Sequence, residues 1–236
     1  MKNIFVFLKT PLLVCLFLVV FVLVGCNKKS TPAEGLLMVV NASPGFGPVD
    51  VRIDEKIFNT SALTYGTNTG YKSITEGAHG VSFTSPGTTT SLYDIGLTTV
   101  ANINQSFFIY DRPNSLQAFA IQDNLTTPAK GKSNIRFFQF SPNSPIMDLG
   151  TLNGAMFTPV FTNRAIETSS TAVVNGAFTT IDAGTYNFEI RVNGAGISLL
   201  VVNNILLKDA KSYTLFAKGI SGNTNTPLEL GIIENN

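Results

Sequence analysis

The chain has 236 residues, 44% hydrophobic and only 13% charged, with 20 Gly, 11 Pro, no Trp, one His and two Cys. Sixteen basic and 15 acidic residues give a net charge of +1, and a near-neutral chain has no electrostatic reason to seek nucleic acid. One histidine and two cysteines exclude His/Cys metal clusters, and the hydrophobicity argues against disorder.

Residues 1–25 read as an export signal: Lys2 supplies a positive start, and after Lys9 and Pro11 an unbroken apolar run extends from Leu12 to Val24. That run is too short for a spanning helix, which needs about 20 residues. It ends in Leu23-Val24-Gly25-Cys26, which resembles the bacterial lipobox. The resemblance implies that Cys26 carries the acyl chains of a lipoprotein and becomes the mature N-terminus. Each acyl CH₂ buried adds about 0.8 kcal/mol of membrane affinity. Loss of Cys15 with the signal and acylation of Cys26 leave no thiol to form a disulfide. Residues 26–34 then form a polar, Pro-containing tether. Asn27 stands where an Asp would retain a lipoprotein in the inner membrane of enteric bacteria, so the outer membrane of a Gram-negative cell is the expected location.

Beyond the tether the sequence repeats itself. Ser43-Pro44 with Asp50 matches Ser141-Pro142 with Asp148, 98 residues on. Ile74-Thr75-Glu76-Gly77 matches Ile181-Asp182-Ala183-Gly184, 107 residues on, and Ser106-Phe107 matches Ser212-Tyr213. The growing offset places about nine extra residues between Arg164 and Phe178, where Thr168, Ser169, Ser170 and Thr171 read as a loop. Residues 35–124 form one unit, 125–132 a linker and 133–236 the second unit.

Both units read as strands. Val49 to Ile53 and Tyr186 to Val192 alternate apolar and polar residues, the two-residue period of a half-buried strand. Asp54-Glu55 and Asn153-Gly154 mark hairpin turns, and Ser85-Pro86-Gly87, Asn193 to Gly196 and Asn203-Asn204 mark further turns. No amphipathic helix stands out after residue 26. The expected fold is all-β: two tandem immunoglobulin-like antiparallel sandwiches.

Met38-Val39-Val40-Asn41-Ala42-Ser43-Pro44, then Val49-Asp50-Val51, Tyr65-Gly66 and Gly77 before a strand, resemble the family known as domain of unknown function 4397. The resemblance runs from Gly35 onward, the second unit looking like a diverged copy. It implies secreted or lipid-anchored immunoglobulin-type sandwiches and does not by itself imply an enzymatic activity.

Candidates for chemistry reduce to structural roles. The only histidine, His79, shares a strand face with Val81 and Phe83 and reads as a packing residue. Asp50 and Asp148 tempt a paired-carboxylate reading of the glycosidase kind, but they occupy one position in two different units and read as loop caps, with Ser43 and Ser141 doing similar local work. Phe137, Phe138 and Phe140 put aromatics on both faces of one strand, which means core in preference to a docking surface. No catalytic residue, metal or cofactor is expected. The leading expectation is a non-catalytic envelope lipoprotein acting as a structural or interaction module on an unknown protein, with Thr168 to Thr171 as a candidate interaction loop. The rival is a polysaccharide-binding accessory lipoprotein that stacks sugars on exposed aromatics.

Overall fold

The computed structural model describes residues 32–236; the signal, the lipobox and Cys26 lie outside the described residues. Eight strands come first: β1 (Glu34–Asn41), β2 (Asp50–Ile53), β3 (Lys56–Ile57), β4 (Lys72–Thr75), β5 (Gly77–Thr84), β6 (Ser91–Thr99), β7 (Asn104–Tyr110) and β8 (Gln117–Gln122). Then follow β9 (Lys132–Gln139), β10 (Met147–Asn153), β11 (Met156–Arg164), helix α1 (Ser169–Asn175), β12 (Thr179–Asp182), β13 (Gly184–Val192), β14 (Ser198–Leu207), β15 (Ser212–Lys218) and β16 (Glu229–Glu234).

The strands make four sheets of four, and the order of the first pair recurs in the second. Sheets β3-β2-β5-β6 and β4-β1-β7-β8 form the first sandwich; β11-β10-β13-β14 and β12-β9-β15-β16 form the second. Pairing is antiparallel as expected, except that β1 and β7, and again β9 and β15, run parallel in the middle of their sheets.

Those four central strands decide how the sheets stack. A strand with one face in water alternates between buried and exposed residues, but β1, β7, β9 and β15 are buried almost continuously, as strands covered on both faces are. Leu37, Val39, Phe107 and Ile109 point into the first sandwich, against Val51, Val81 and Phe83 of the opposite sheet. Ile135, Phe137 and Leu215 do the same in the second, against Leu149, Phe188 and Ile190. The intervening residues of the same strands, Met38, Val40, Phe108, Tyr110, Phe138 and Phe216, together with Phe140 just after β9, meet in a third core between the two sandwiches. Within it Tyr110 and Phe140 lie 5.0 Å apart, and Phe108 lies 5.3 Å from both Phe138 and Phe140. At roughly 1.5–3 kcal/mol for each fully buried ring, parting the two sandwiches costs on the order of 10 kcal/mol. Residues from Ala33 to Asn236 accordingly form one compact unit.

Three local expectations change. Asn203-Asn204 is not a turn: both residues lie inside β14, where the pairing with β13 shifts register and Asn204 takes a left-handed φ of 61°. The side chain of Asn187 accepts the Asn204 N–H that this bulge frees. Thr168 to Thr171 is not a loop either: Thr168 is the N-cap, and Ser169, Ser170 and Thr171 form the first turn of α1, which is also the helix the sequence did not reveal. Thr168 and Thr171 cap one another reciprocally, each side chain accepting the other's backbone N–H. Seven residues are too few to hold a helix alone, and Ala172, buried in the third core, supplies what the helix lacks.

Candidate functional site

Beside α1 the two sandwiches leave a cleft of about 900 Å³. Its first wall is the open side of the first sandwich, between the edge strands β6 and β8, with Ile95 to Thr98 on one and Ala118 to Gln122 on the other. Phe107 and Gln105 of β7 form the floor between them, and Val173, Ala177, Phe178, Thr180 and Asn134 close the far side from the second sandwich. Among the described residues no charged side chain lines it. Helix α1 is fixed at the rim because Gly176, its C-cap, sits directly on Ile121 of β8, where a Cβ would fall 1.8 Å from the Ile121 Cδ1. The helix leaves Val173 and Val174 73% and 78% exposed beside the cleft.

Under this cleft a ring of polar side chains crosses from one sandwich to the other. Arg136 of β9 is entirely buried, and its Nη2 lies 2.6 Å from the Asp123 Oδ1, just beyond β8. The other oxygen of Asp123 accepts the hydroxyls of Tyr71 (2.6 Å) and Ser106 (2.7 Å). Arg136 Nε donates to Thr214, Thr214 donates to Asn235, and the Asn235 amide donates back to the Tyr71 hydroxyl, closing the circuit. Burial, the Asp123 charge and the hydrogen bond to it all hold the Tyr71 phenol well above its ordinary range. The guanidinium is stacked against Phe138 and, at 4.6 Å, Phe178. A buried ion pair of this kind contributes little net stability but makes any other docking of the sandwiches costly.

The residues singled out in the sequence fall apart in space. Asp50 and Asp148 lie in the two outer sheets, with the two inner sheets between them. Asp50 accepts the backbone N–H of Gly87, and Asp148 accepts the N–H of Asn163 and the amide of Asn193, so each pins a loop. Ser43 and Ser141 do parallel work: their hydroxyls donate to the carbonyls of Asp111 and Gly219, just after β7 and β15.

His79 is more than packing. Its Nδ1 lies 2.7 Å from Asp54, and its Nε2 lies 2.9 Å from the Thr75 carbonyl and 3.1 Å from the Thr99 hydroxyl. The Asp-His-Thr order imitates a nucleophilic triad, but the protons run the wrong way. The Thr75 carbonyl can only accept, so Nε2 carries a proton, and the Thr99 hydroxyl donates to that same carbonyl. Both ring nitrogens therefore donate, which suits an imidazolium. Burial opposes the charge, but the hydrogen bonds to Asp54 and Thr75 outweigh it and raise the His79 pKa. His79 in turn holds the Asp54 carboxyl below its usual range, with help from the Gly80 N–H.

Glu167, just before α1, is buried with its carboxylate on Thr171 and Asn175. Burial pushes its pKa up against those hydrogen bonds. Its carbonyl accepts the Tyr110 hydroxyl of the first sandwich, a phenol that burial pushes up to about 12. Sequence reading missed Arg136, Asp123 and Tyr71. The one available signal was an arginine and an aspartate inside apolar surroundings, Ile135-Arg136-Phe137 and Ile121-Gln122-Asp123.

Phe137, Phe138 and Phe140 are all buried, Phe137 within the second sandwich and the other two between the sandwiches. Every Phe and Tyr among the described residues is buried or half-buried, and of the half-buried ones Phe157 and Phe178 lie under the guanidinium groups of Arg191 and Arg136. No group of three or more His, Cys, Asp or Glu side chains is arranged to hold a metal among the described residues.

Stacked sheets with a shared third core place the chain among all-β sandwich proteins. Residues 35–150 match the family model described as Domain of unknown function (DUF4397), and over that span the chain carries a domain of this family. The match takes in the first sandwich from β1 and runs through β9 into β10. No curated protein matches the chain.

Proposed function

We propose that the chain is a non-catalytic lipoprotein of the bacterial cell envelope, held on the outer membrane by acyl chains on Cys26, whose joined sandwiches act as a rigid interaction module. The observation that carries this reading is the Leu23-Val24-Gly25-Cys26 tetrad directly after a short apolar run. The structure supports the module half: His79, Asp50, Asp148, Ser43 and Ser141 are engaged in internal hydrogen bonds, and the third core makes the two sandwiches one body. In a family whose domain has no assigned activity, rigid presentation of a surface is the simplest use of such a body.

The test is expression of the full chain and of Cys26→Ala in a bacterium fed an alkyne-bearing palmitate, followed by carbonate washing of the membranes. The wild-type chain is expected to take the label and stay in the pellet, and the variant to lose both. A variant that stays in the pellet, or a wild-type chain without label, overturns the anchor.

A further inference from the structure

We propose that the cleft beside α1 receives an extended, uncharged peptide strand of a partner protein, which pairs with the free edge of β6. This deepens the reading of the chain as an interaction module.

Among the described residues strand β6 pairs only with β5, so its other edge carries backbone N–H and C=O groups with no strand partner there. Which groups face that edge is fixed by one side chain. The Gln105 amide, itself 6% exposed, donates to the Thr98 carbonyl and accepts from the Val100 N–H. A residue of a neighbouring parallel strand would bond the same two groups, those flanking Thr99. Gln105 thus stands in for the first residue of an absent strand, at one end of the cleft.

Because the N–H and C=O of one residue project to the same side and alternate along a strand, the N–H of Thr98 and both groups of Gly96 face the same edge. They look into the cleft that Ile95 to Thr98 line. The stretch that Gln105 leaves open, Ile95 to Thr98, gives about 13 Å of edge, room for a strand of about four residues.

The lining decides the chemistry of the occupant. It holds no charged side chain, so a charged peptide would lose its hydration with nothing in return. An acyl chain would fit the apolar floor but would bury the Gly96 and Thr98 backbone groups unpaired, at about 1–3 kcal/mol each. A peptide strand satisfies both, its main chain on β6 and alternate apolar side chains on Phe107, Ile121 and Phe178. The cleft also continues the interface between the sandwiches, since Phe119 and Ile121 belong to both.

The experiment titrates the full chain, as purified from expressing cells, with an end-capped peptide of alternating Val and Thr while following backbone hydrogen exchange. Saturable binding with new protection at Gly96 and Thr98 is expected. Gly96→Pro, which removes the edge N–H, should weaken binding at least tenfold. Gly96→Ala, whose Cβ meets no atom within 4 Å, should bind like the wild type. No saturable binding up to millimolar peptide, binding without protection on β6, equal binding by Gly96→Pro, or displacement by palmitate overturns the proposal. So does protection that arises from self-association, which would make the occupant a second copy. Hydrogen exchange reads the wild-type chain even where the proline variant does not fold. None of these readouts depends on Cys26, so this proposal and the anchor fail separately.

Discussion

His79 ties the β2–β3 turn to the start of β5, and its charge is part of the tie. Its pKa is higher folded than unfolded, so its contribution is complete below the unfolded value of about 6.5 and is lost as the pH rises through the raised folded value. Asp54, held low, contributes above the ordinary carboxylate range and loses its contribution as the pH falls through its folded value. The pair is therefore at full strength between the two ranges, in mildly acidic solution. His79→Gln should cost about 1–3 kcal/mol at pH 5.5, the worth of a charge-assisted hydrogen bond, and visibly less at pH 9. Urea unfolding at both pH values measures this, and an equal loss at both would mean that the imidazole acts only as a neutral donor.

Among the elements, the β2–β3 hairpin shows how local chemistry and tertiary demand disagree. Ile53 pairs with Lys56, so Asp54 and Glu55 form a two-residue turn with φ of 48° and 68°, both left-handed. Asparagine and glycine suit such a turn, whereas Glu55 has a Cβ that disfavours it. Glu55→Gly should therefore stabilise the chain by about 0.5–1 kcal/mol, seen as a higher urea midpoint at unchanged slope. A lower midpoint would show that the Glu55 side chain contributes more than its strain costs. Strands with strict alternation, such as Tyr186 to Val192, were readable in the sequence because one face is core and the other solvent. Helix α1 was not, because seven residues rich in Ser and Thr carry no helical period and Ala172 is held by residues far away in sequence. Nor was the β14 bulge, since Asn-Asn reads equally as a turn and only pairing with β13 settles which it is. The cleft left no trace at all, since its walls come from residues 95–126, 134 and 173–180, on both sandwiches.

At the scale of the whole molecule, the third core and the Arg136–Asp123 ring make the sandwiches interdependent. Removing one member of a buried ion pair leaves the other charged and unpaired, at about 3–5 kcal/mol. Asp123→Ala should therefore destabilise both sandwiches together, giving a single unfolding transition at a lower denaturant concentration. Circular dichroism and hydrogen exchange at β5 and β13 should trace that one transition. Two separate transitions, with only one of them shifted, would show that the shared core does not couple them. Domains joined by small polar interfaces move relative to one another; a large aromatic one removes that freedom.

The double-sided burial of β1 and β7 also has a cost in time. Whichever sandwich folds first, its inner face stays open until the other has folded against it. For that interval Phe108, Tyr110 and Phe119 form a greasy flank with nothing to cover it. A chain in which only the first sandwich has folded is thus a sticky species until Phe138, Phe140 and Phe216 arrive to cover it.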